Sequence, residues 1–175
     1  MSNIILIEFM GSGKTTIGRR LSYRLKQTMT DTDKLIEKQQ NMTIPELFEL
    51  YGEKKFRDLE TQSIEYLLRT VKNEVISTGG GMPIRPENRT LLKELGCVIF
   101  LRVRPETIIE RLKNDTTRPL LRGENPELKI AAMLQERNPA YLETADIVID
   151  VDDKSFEMIL DEIEEALDQY EITRN

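Results

Sequence analysis

Short apolar runs alternate with amphipathic stretches along the chain, and their spacing predicts strands alternating with helices. Ile4 to Ile7 reads as a buried strand that leads through Gly11-Ser12-Gly13 into a helix, because Ile17, Leu21 and Leu25 recur at four-residue spacing. A second short strand ends at Asp31. Thr43-Ile44-Pro45-Glu46 has the form of a capping box with proline in the first turn, starting a short helix through Phe48 and Leu50 that Gly52 ends. Phe56, Leu59, Ile64, Leu67, Leu68 and Val71 then share one face of a longer helix, and Glu74 to Thr78 forms a third strand running into Gly79-Gly80-Gly81.

The alternation continues to the C-terminus. Pro86 begins a helix, Cys97 to Leu101 is a fourth strand, and Pro105 starts a helix carrying Ile108, Ile109 and Leu112. Residues 114–126 hold Arg118, Arg122, two prolines and a glycine without periodicity, the composition of an exposed, mobile loop. Helical spacing resumes through Leu128, Met133 and Leu134. Ile147-Val148-Ile149 is a fifth strand, and Phe156, Ile159, Leu160, Ile163 and Leu167 stripe a last helix capped by Ser155. Such alternation implies an α/β fold, with a parallel sheet covered by helices on both faces.

Composition narrows the class. The 175 residues suffice for one domain with a real core, and at 39% hydrophobic and 32% charged they match a globular chain. The longest apolar run, Cys97 to Leu101, falls far short of the roughly 20 residues of a membrane span. Ile4 to Ile7 runs straight into Glu8 without the features of a signal peptide, and the lone Cys97 has no internal disulfide partner, so a reducing cytoplasm is the expected setting. The net charge of −6 is local: Glu143 to Asp168 carries eleven of the 31 acidic residues but one of the 25 basic ones. The rest is slightly cationic and has no basic stripe for nucleic acid. With no histidine, histidine base catalysis, Ser-His-Asp triads and histidine-ligated zinc are excluded.

The candidate chemistry lies at the ends of the predicted strands. Gly11-Ser12-Gly13-Lys14-Thr15-Thr16 sits between a strand and a helix, the context of a phosphate-binding P-loop: backbone N–H groups face the phosphates, Lys14 reaches their oxygens and the Thr15 hydroxyl can ligate magnesium. The full pattern has glycine where this chain has Glu8. Asp33 could accept a hydroxyl proton and Asp31 could hold magnesium, although a helix N-cap explains an aspartate there equally well. Arg57 and Glu60 lie on adjacent turns, where the acid could orient the guanidinium or simply form a surface ion pair. Gly79-Gly80-Gly81 offers backbone to a small ligand, while Arg118 and Arg137 could bind phosphate and carboxylate through their planar donor forks.

Taken together and in order, these segments resemble shikimate kinase. The resemblance runs through Gly-x-Gly-Lys-Thr-Thr, Asp31-Thr32-Asp33 with Ile36-Glu37, Gly52-Glu53 before Phe56-Arg57-x-x-Glu60, Ser77-Thr78-Gly79-Gly80-Gly81, Arg118-Pro119-Leu120-Leu121, and Glu136-Arg137-Asn138-Pro139-x-Tyr141. It implies a P-loop NTPase fold of three layers, and transfer of the γ-phosphoryl group of ATP to the 3-hydroxyl of shikimate. By resemblance, ATP is held by Gly11, Ser12, Gly13, Lys14, Thr15, Thr16 and Arg118, with Arg111 and Lys154 near adenine. Magnesium falls to Thr15 and Asp31. Asp33, Arg57, Gly79, Gly80, Gly81 and Arg137 match the shikimate contacts, and Lys14, Asp33 and Arg118 carry the chemistry. The resemblance further implies one kinase domain with a substrate-binding helical region over 33–61 and a lid over 114–126, acting as a monomer without nucleic-acid or membrane partners. A kinase for another small hydroxylated acid and a non-catalytic nucleotide-binding module are the alternative readings.

Glu8 departs from the family pattern. Glycine there would tolerate unusual backbone angles and keep negative charge from ATP. Because Gly11, Gly13 and Lys14 are retained, Glu8 is expected to turn away toward solvent or a basic partner, and Glu8→Gly to tighten MgATP binding by less than roughly tenfold. A lid arginine acts when the loop closes over the phosphates, so Arg118→Ala should depress turnover more than substrate binding. Steady-state kinetics should show kcat falling with little change in either KM, and an unchanged kcat would remove Arg118 from the chemistry.

Overall fold

A computed structural model describes residues 2–11, 13–112 and 125–174; Ser12, Arg118 and most of the expected lid lie outside the described residues. The wholly buried run Asn3–Glu8 forms strand β1. It is the middle of five parallel strands, with β2 (Thr28–Asp31), β3 (Glu74–Ser77), β4 (Gly96–Arg102) and β5 (Ile147–Asp150) in the order β2-β3-β1-β4-β5. Ile4 lies between Val75 and Cys97, and Leu6 between Ser77 and Ile99, which locks the register of the central three strands. The chain leaves β1 toward one edge and later returns to β1's other side. In such sheets ligands collect where the strand order reverses, outside the carboxyl ends of the strands.

Helices α1 (Lys14–Leu25), α2 (Thr32–Gln40), α3 (Ile44–Thr70), α4 (Pro86–Leu95), α5 (Pro105–Leu112), α6 (Pro126–Thr144) and α7 (Phe156–Arg174) connect or flank the strands, with a 3-10 turn at Met82–Ile84. Ile17 and Leu21 of α1, Ile64 and Leu67 of α3, Leu92 of α4, Ile130 and Leu134 of α6 and Ile159 and Ile163 of α7 pack on the sheet as one core. Cys97 is buried within it. The last helix is capped as its sequence predicts, the Ser155 hydroxyl accepting a bond from Met158 N at 3.2 Å. Its acidic face is not merely solvated, because Asp161 and Glu164 pair with Arg24 of α1 at 2.6 and 2.8 Å. No helix among the described residues is long and apolar enough to cross a membrane.

Two features bear on the site. The Thr43–Glu46 capping box is present, Thr43 N donating to Glu46 Oε2 at 2.7 Å, and α3 breaks at Gly52, where φ is 75° and glycine avoids the strain of a side chain. Helix α2 is an addition to the periodicity reading, since Leu35 and Ile36 alone make no stripe. It starts because Asp31 caps it, accepting from Asp33 N at 3.0 Å and Lys34 N at 3.2 Å. Ile36 of α2 and Leu47, Phe56 and Leu59 of α3 form a small apolar cluster of their own, which holds these helices over the strand ends.

The start of the sheet is tightly constrained. A Cβ at Gly96 would stand 2.2 Å from the Asn3 carbonyl oxygen, its partner across β1 and β4, so backbone rather than a flexible side chain would have to move. Gly96→Ala should therefore cost about 1–3 kcal/mol, the range for overpacking. The melting temperature should fall by several degrees, given about 2–4 °C per kcal/mol at this size. An unchanged melting temperature would show that the strands can part there at no cost.

Candidate active site

Strands β1, β2 and β3 deliver the site residues to one end of the sheet. A cavity of about 400 Å³ there brings together Gly11, Lys14 and Thr15 of the P-loop, Asp31 and Asp33, Arg57 and Glu60, Gly79 to Gly81, and Arg137. A second cavity of about 520 Å³ meets it at Gly11 and is walled by Gly13, Arg111, Lys154 and Phe156. The Arg111 guanidinium donates to the Gly11 carbonyl at 3.0 Å, and Lys154 is paired with Glu162. Thr16 is exposed on the first turn of α1, its N–H bonded back to Gly13 O at 3.0 Å, and is not among the residues lining either cavity. A third hollow, of about 270 Å³, lies at the opposite end of the sheet between Ile4, Leu25, Leu167 and Tyr170 and holds none of the candidate site residues.

The P-loop departs from expectation at Glu8. This residue is 6% exposed, and its carboxylate turns into the site rather than away from it. Lys14 N donates to Glu8 Oε2 at 3.1 Å, and Lys14 Nζ lies 3.5 Å from Oε1. Solvent or a basic partner away from the site was expected; the partner is the P-loop lysine itself. The backbone argument for glycine also falls away: Glu8 is an extended strand residue paired with Leu101, whereas Gly11 and Gly13 carry the positive φ values of 85° and 91°. The Lys14 ammonium also donates to the Thr78 carbonyl.

Opposite the loop, Arg57 is held from two sides, by Glu60 at 2.7 Å and Glu53 at 3.2 Å. Burial works against its charge, but the two carboxylates outweigh it and the guanidinium pKa is raised. A Cβ at Gly81 would stand 2.0 Å from Arg57 Nη1, so any larger residue would displace the guanidinium. Two side chains anchor the glycine run: Gly79 N donates to Thr32 Oγ1 at 3.0 Å, and the buried Tyr141 hydroxyl donates to the Gly80 carbonyl at 2.6 Å. Neither anchor was assigned a role from sequence, because a Thr beside two aspartates and a Tyr in a helix carry no distinctive signal. Arg137 sits over the Phe9 ring, its guanidinium carbon 5.8 Å from the centroid.

Two carboxylates here are costly. Asp33 Oδ1 and Glu60 Oε1 are buried with no hydrogen-bond partner. Burial raises the Asp33 pKa, with Lys14 pulling the other way, and burial lifts Glu60 to about 7, against the pull of Arg57. Buried acceptors without a donor call for one, and both of these face the cavity.

A family model described as shikimate kinase matches residues 10–168. The chain belongs to the shikimate kinase family. The shikimate kinase of Caldanaerobacter subterraneus subsp. tengcongensis is 44% identical over 163 residues, covering 93% of this chain and 94% of that protein. The shikimate kinase of Thermodesulfovibrio yellowstonii is likewise 44% identical, with 93% of each chain covered. Among solved structures, the shikimate kinase of Acinetobacter baumannii in complex with shikimate superposes with a TM-score of 0.89 at 36% identity, over 97% of this chain and 94% of that one. A gluconokinase from Sinorhizobium meliloti, at 15% identity and a TM-score of 0.53, shares the fold alone. The P-loop kinase fold, with its five-stranded parallel sheet, is therefore that of shikimate kinases.

The Glu60 geometry has a consequence for stability. A carboxyl whose pKa is higher in the folded than in the unfolded protein stabilises the fold fully below its unfolded value, near 4.5, and that contribution is lost as pH rises through about 7. Denaturant midpoints of the wild type should accordingly fall between pH 5 and 8, and Glu60→Gln, neutral throughout, should flatten the decline. Parallel pH profiles in the two proteins would show that Glu60 ionises in the fold as it does in the unfolded chain.

Proposed function

We propose that this kinase transfers the γ-phosphoryl group of ATP to the 3-hydroxyl of shikimate, giving shikimate 3-phosphate and ADP. The observation that carries the reading is the shared cavity: the P-loop's Lys14 lines one side, and the unpartnered Asp33 Oδ1 with Arg57 and Arg137 lines the other. ATP would lie along Gly11, Ser12, Gly13 and Lys14, with its base toward Arg111 and Lys154 in the adjoining cavity. The shikimate carboxylate would take the planar donor forks of Arg57 and Arg137, and the glycine run would close over the ring. Helices α2 and α3 over 33–61 form the substrate-binding part of this arrangement, and 114–126 its lid.

Asp33 would accept the hydroxyl proton as the hydroxyl oxygen attacks the γ-phosphorus, and burial makes its carboxylate a stronger base. Lys14 would neutralise charge spreading over the transferred group, with Arg118 adding a second cation. The donor set also fits magnesium, which keeps several waters and takes one or two protein oxygens beside the phosphates. Thr15 supplies a hydroxyl, and Asp31 makes both capping bonds through Oδ1, leaving Oδ2 for a further ligand. Bound there with ATP, magnesium would supply charge neutralisation at the phosphates.

ADP release under saturating MgATP, measured with and without shikimate and again with quinate or gluconate, tests the acceptor. Release dependent on shikimate is expected, and equal or faster turnover of another acid would reassign it. Asp33→Asn should lower shikimate-dependent release on the order of 100-fold or more, the usual worth of a general base, with calorimetric MgATP affinity largely kept. Loss of MgATP binding with shikimate binding intact would place Asp33 on the nucleotide instead.

A further inference from the structure

Where β1 hands the chain to the P-loop, the glycine-to-glutamate change costs nothing in backbone conformation. Glu8 is paired in the strand, and the left-handed turns lie beyond it at Gly11 and Gly13. What the change adds is a nearly buried carboxylate. That carboxylate meets the two donors of Lys14, the backbone N–H at the start of α1 and the side-chain ammonium. A P-loop turns these same two donors toward the oxygens of a nucleotide phosphate. The ammonium is simultaneously drawn to the Thr78 carbonyl at the end of β3, so both groups of Lys14 are already satisfied by the protein.

We propose that Glu8 is an internal competitor for phosphate: its carboxylate fills the anion position of the P-loop, and ATP binds by displacing it from Lys14. The inference rests on the reading of this loop as the ATP phosphate site. The exchange is one anion for another at a partly buried cation. The displaced carboxylate must then either leave a site that is 8% exposed at its side chain or remain beside a polyphosphate of like charge. Both costs attach to the phosphate chain and not to the nucleoside. Competition should therefore weaken ATP and ADP while leaving adenosine untouched, whereas a general distortion of the loop would weaken all three.

Isothermal titration of MgATP, MgADP and adenosine into the wild type, Glu8→Gly and Glu8→Gln separates these cases, with melting curves confirming that each variant is folded. Glu8→Gly should bind MgATP on the order of 10- to 100-fold more tightly, the range for releasing a hydrogen bond to a charged group. This exceeds the change expected from sequence. Glu8→Gln, which keeps the size but not the charge, should move the same way by a smaller factor, and adenosine affinity should stay as in the wild type. Unchanged or weakened MgATP binding in both variants would overturn the proposal. So would equal changes for adenosine and MgATP, or tightening confined to Glu8→Gly, which would make the effect one of bulk. If Glu8→Gly does not fold, MgATP tightening in Glu8→Gln decides; if Glu8→Gln does not fold, Glu8→Met, uncharged and of similar size, takes its place. Shikimate-dependent ADP release by the wild type with no tightening in the variants would overturn this proposal alone. Tightening without any release by the wild type would instead overturn the kinase reaction, and failure of all three proteins to bind MgATP would overturn both.

Discussion

Seven charged side chains share one partly buried cavity, and the site is organised by the need to balance them. Glu8, Asp31, Asp33 and Glu60 face Lys14, Arg57 and Arg137. An isolated buried charge is costly, so each must find an opposite charge or a set of hydrogen-bond donors. Asp31 is satisfied by backbone N–H groups at the start of α2, Arg57 by two glutamates on its own helix, and Lys14 by Glu8 and a carbonyl. The balance is incomplete at one oxygen each of Asp33 and Glu60. Under the proposed reaction the acceptor's hydroxyl groups would supply donors to these two oxygens.

Much of this was legible in the chain, for reasons that differ from element to element. The strands were visible because β1 and β4 are buried on both faces and read as continuous apolar runs, and the breaks at Gly52 and Ser155 because cap and turn chemistry is local. Helix α2 escaped the periodicity, since its stability comes from a cap and from contact with α3 rather than from an apolar stripe of its own. In the site, the P-loop glycines and lysine are recognisable by spacing alone. Thr32 and Tyr141 are not, because their importance lies in which glycine carbonyl or amide they reach across the fold. Glu8 shows the opposite difficulty. Its departure from the pattern was plain, but its direction depended on whether Lys14 would be left with any better anion, which only the three-dimensional arrangement decides.

The second apolar cluster gives the molecule a division of labour. Ile36, Leu47, Phe56 and Leu59 share no member with the main core, and they pack helix α2, which carries Asp33, against the part of α3 that carries Arg57. On the proposed reading these helices carry the acceptor's half of the cavity, so a change among the four side chains bears first on the placement of Asp33 and Arg57. On that reading the grip on the acceptor and the grip on the nucleotide rest on partly separate sets of packed side chains, so a change in one set weighs less on the other.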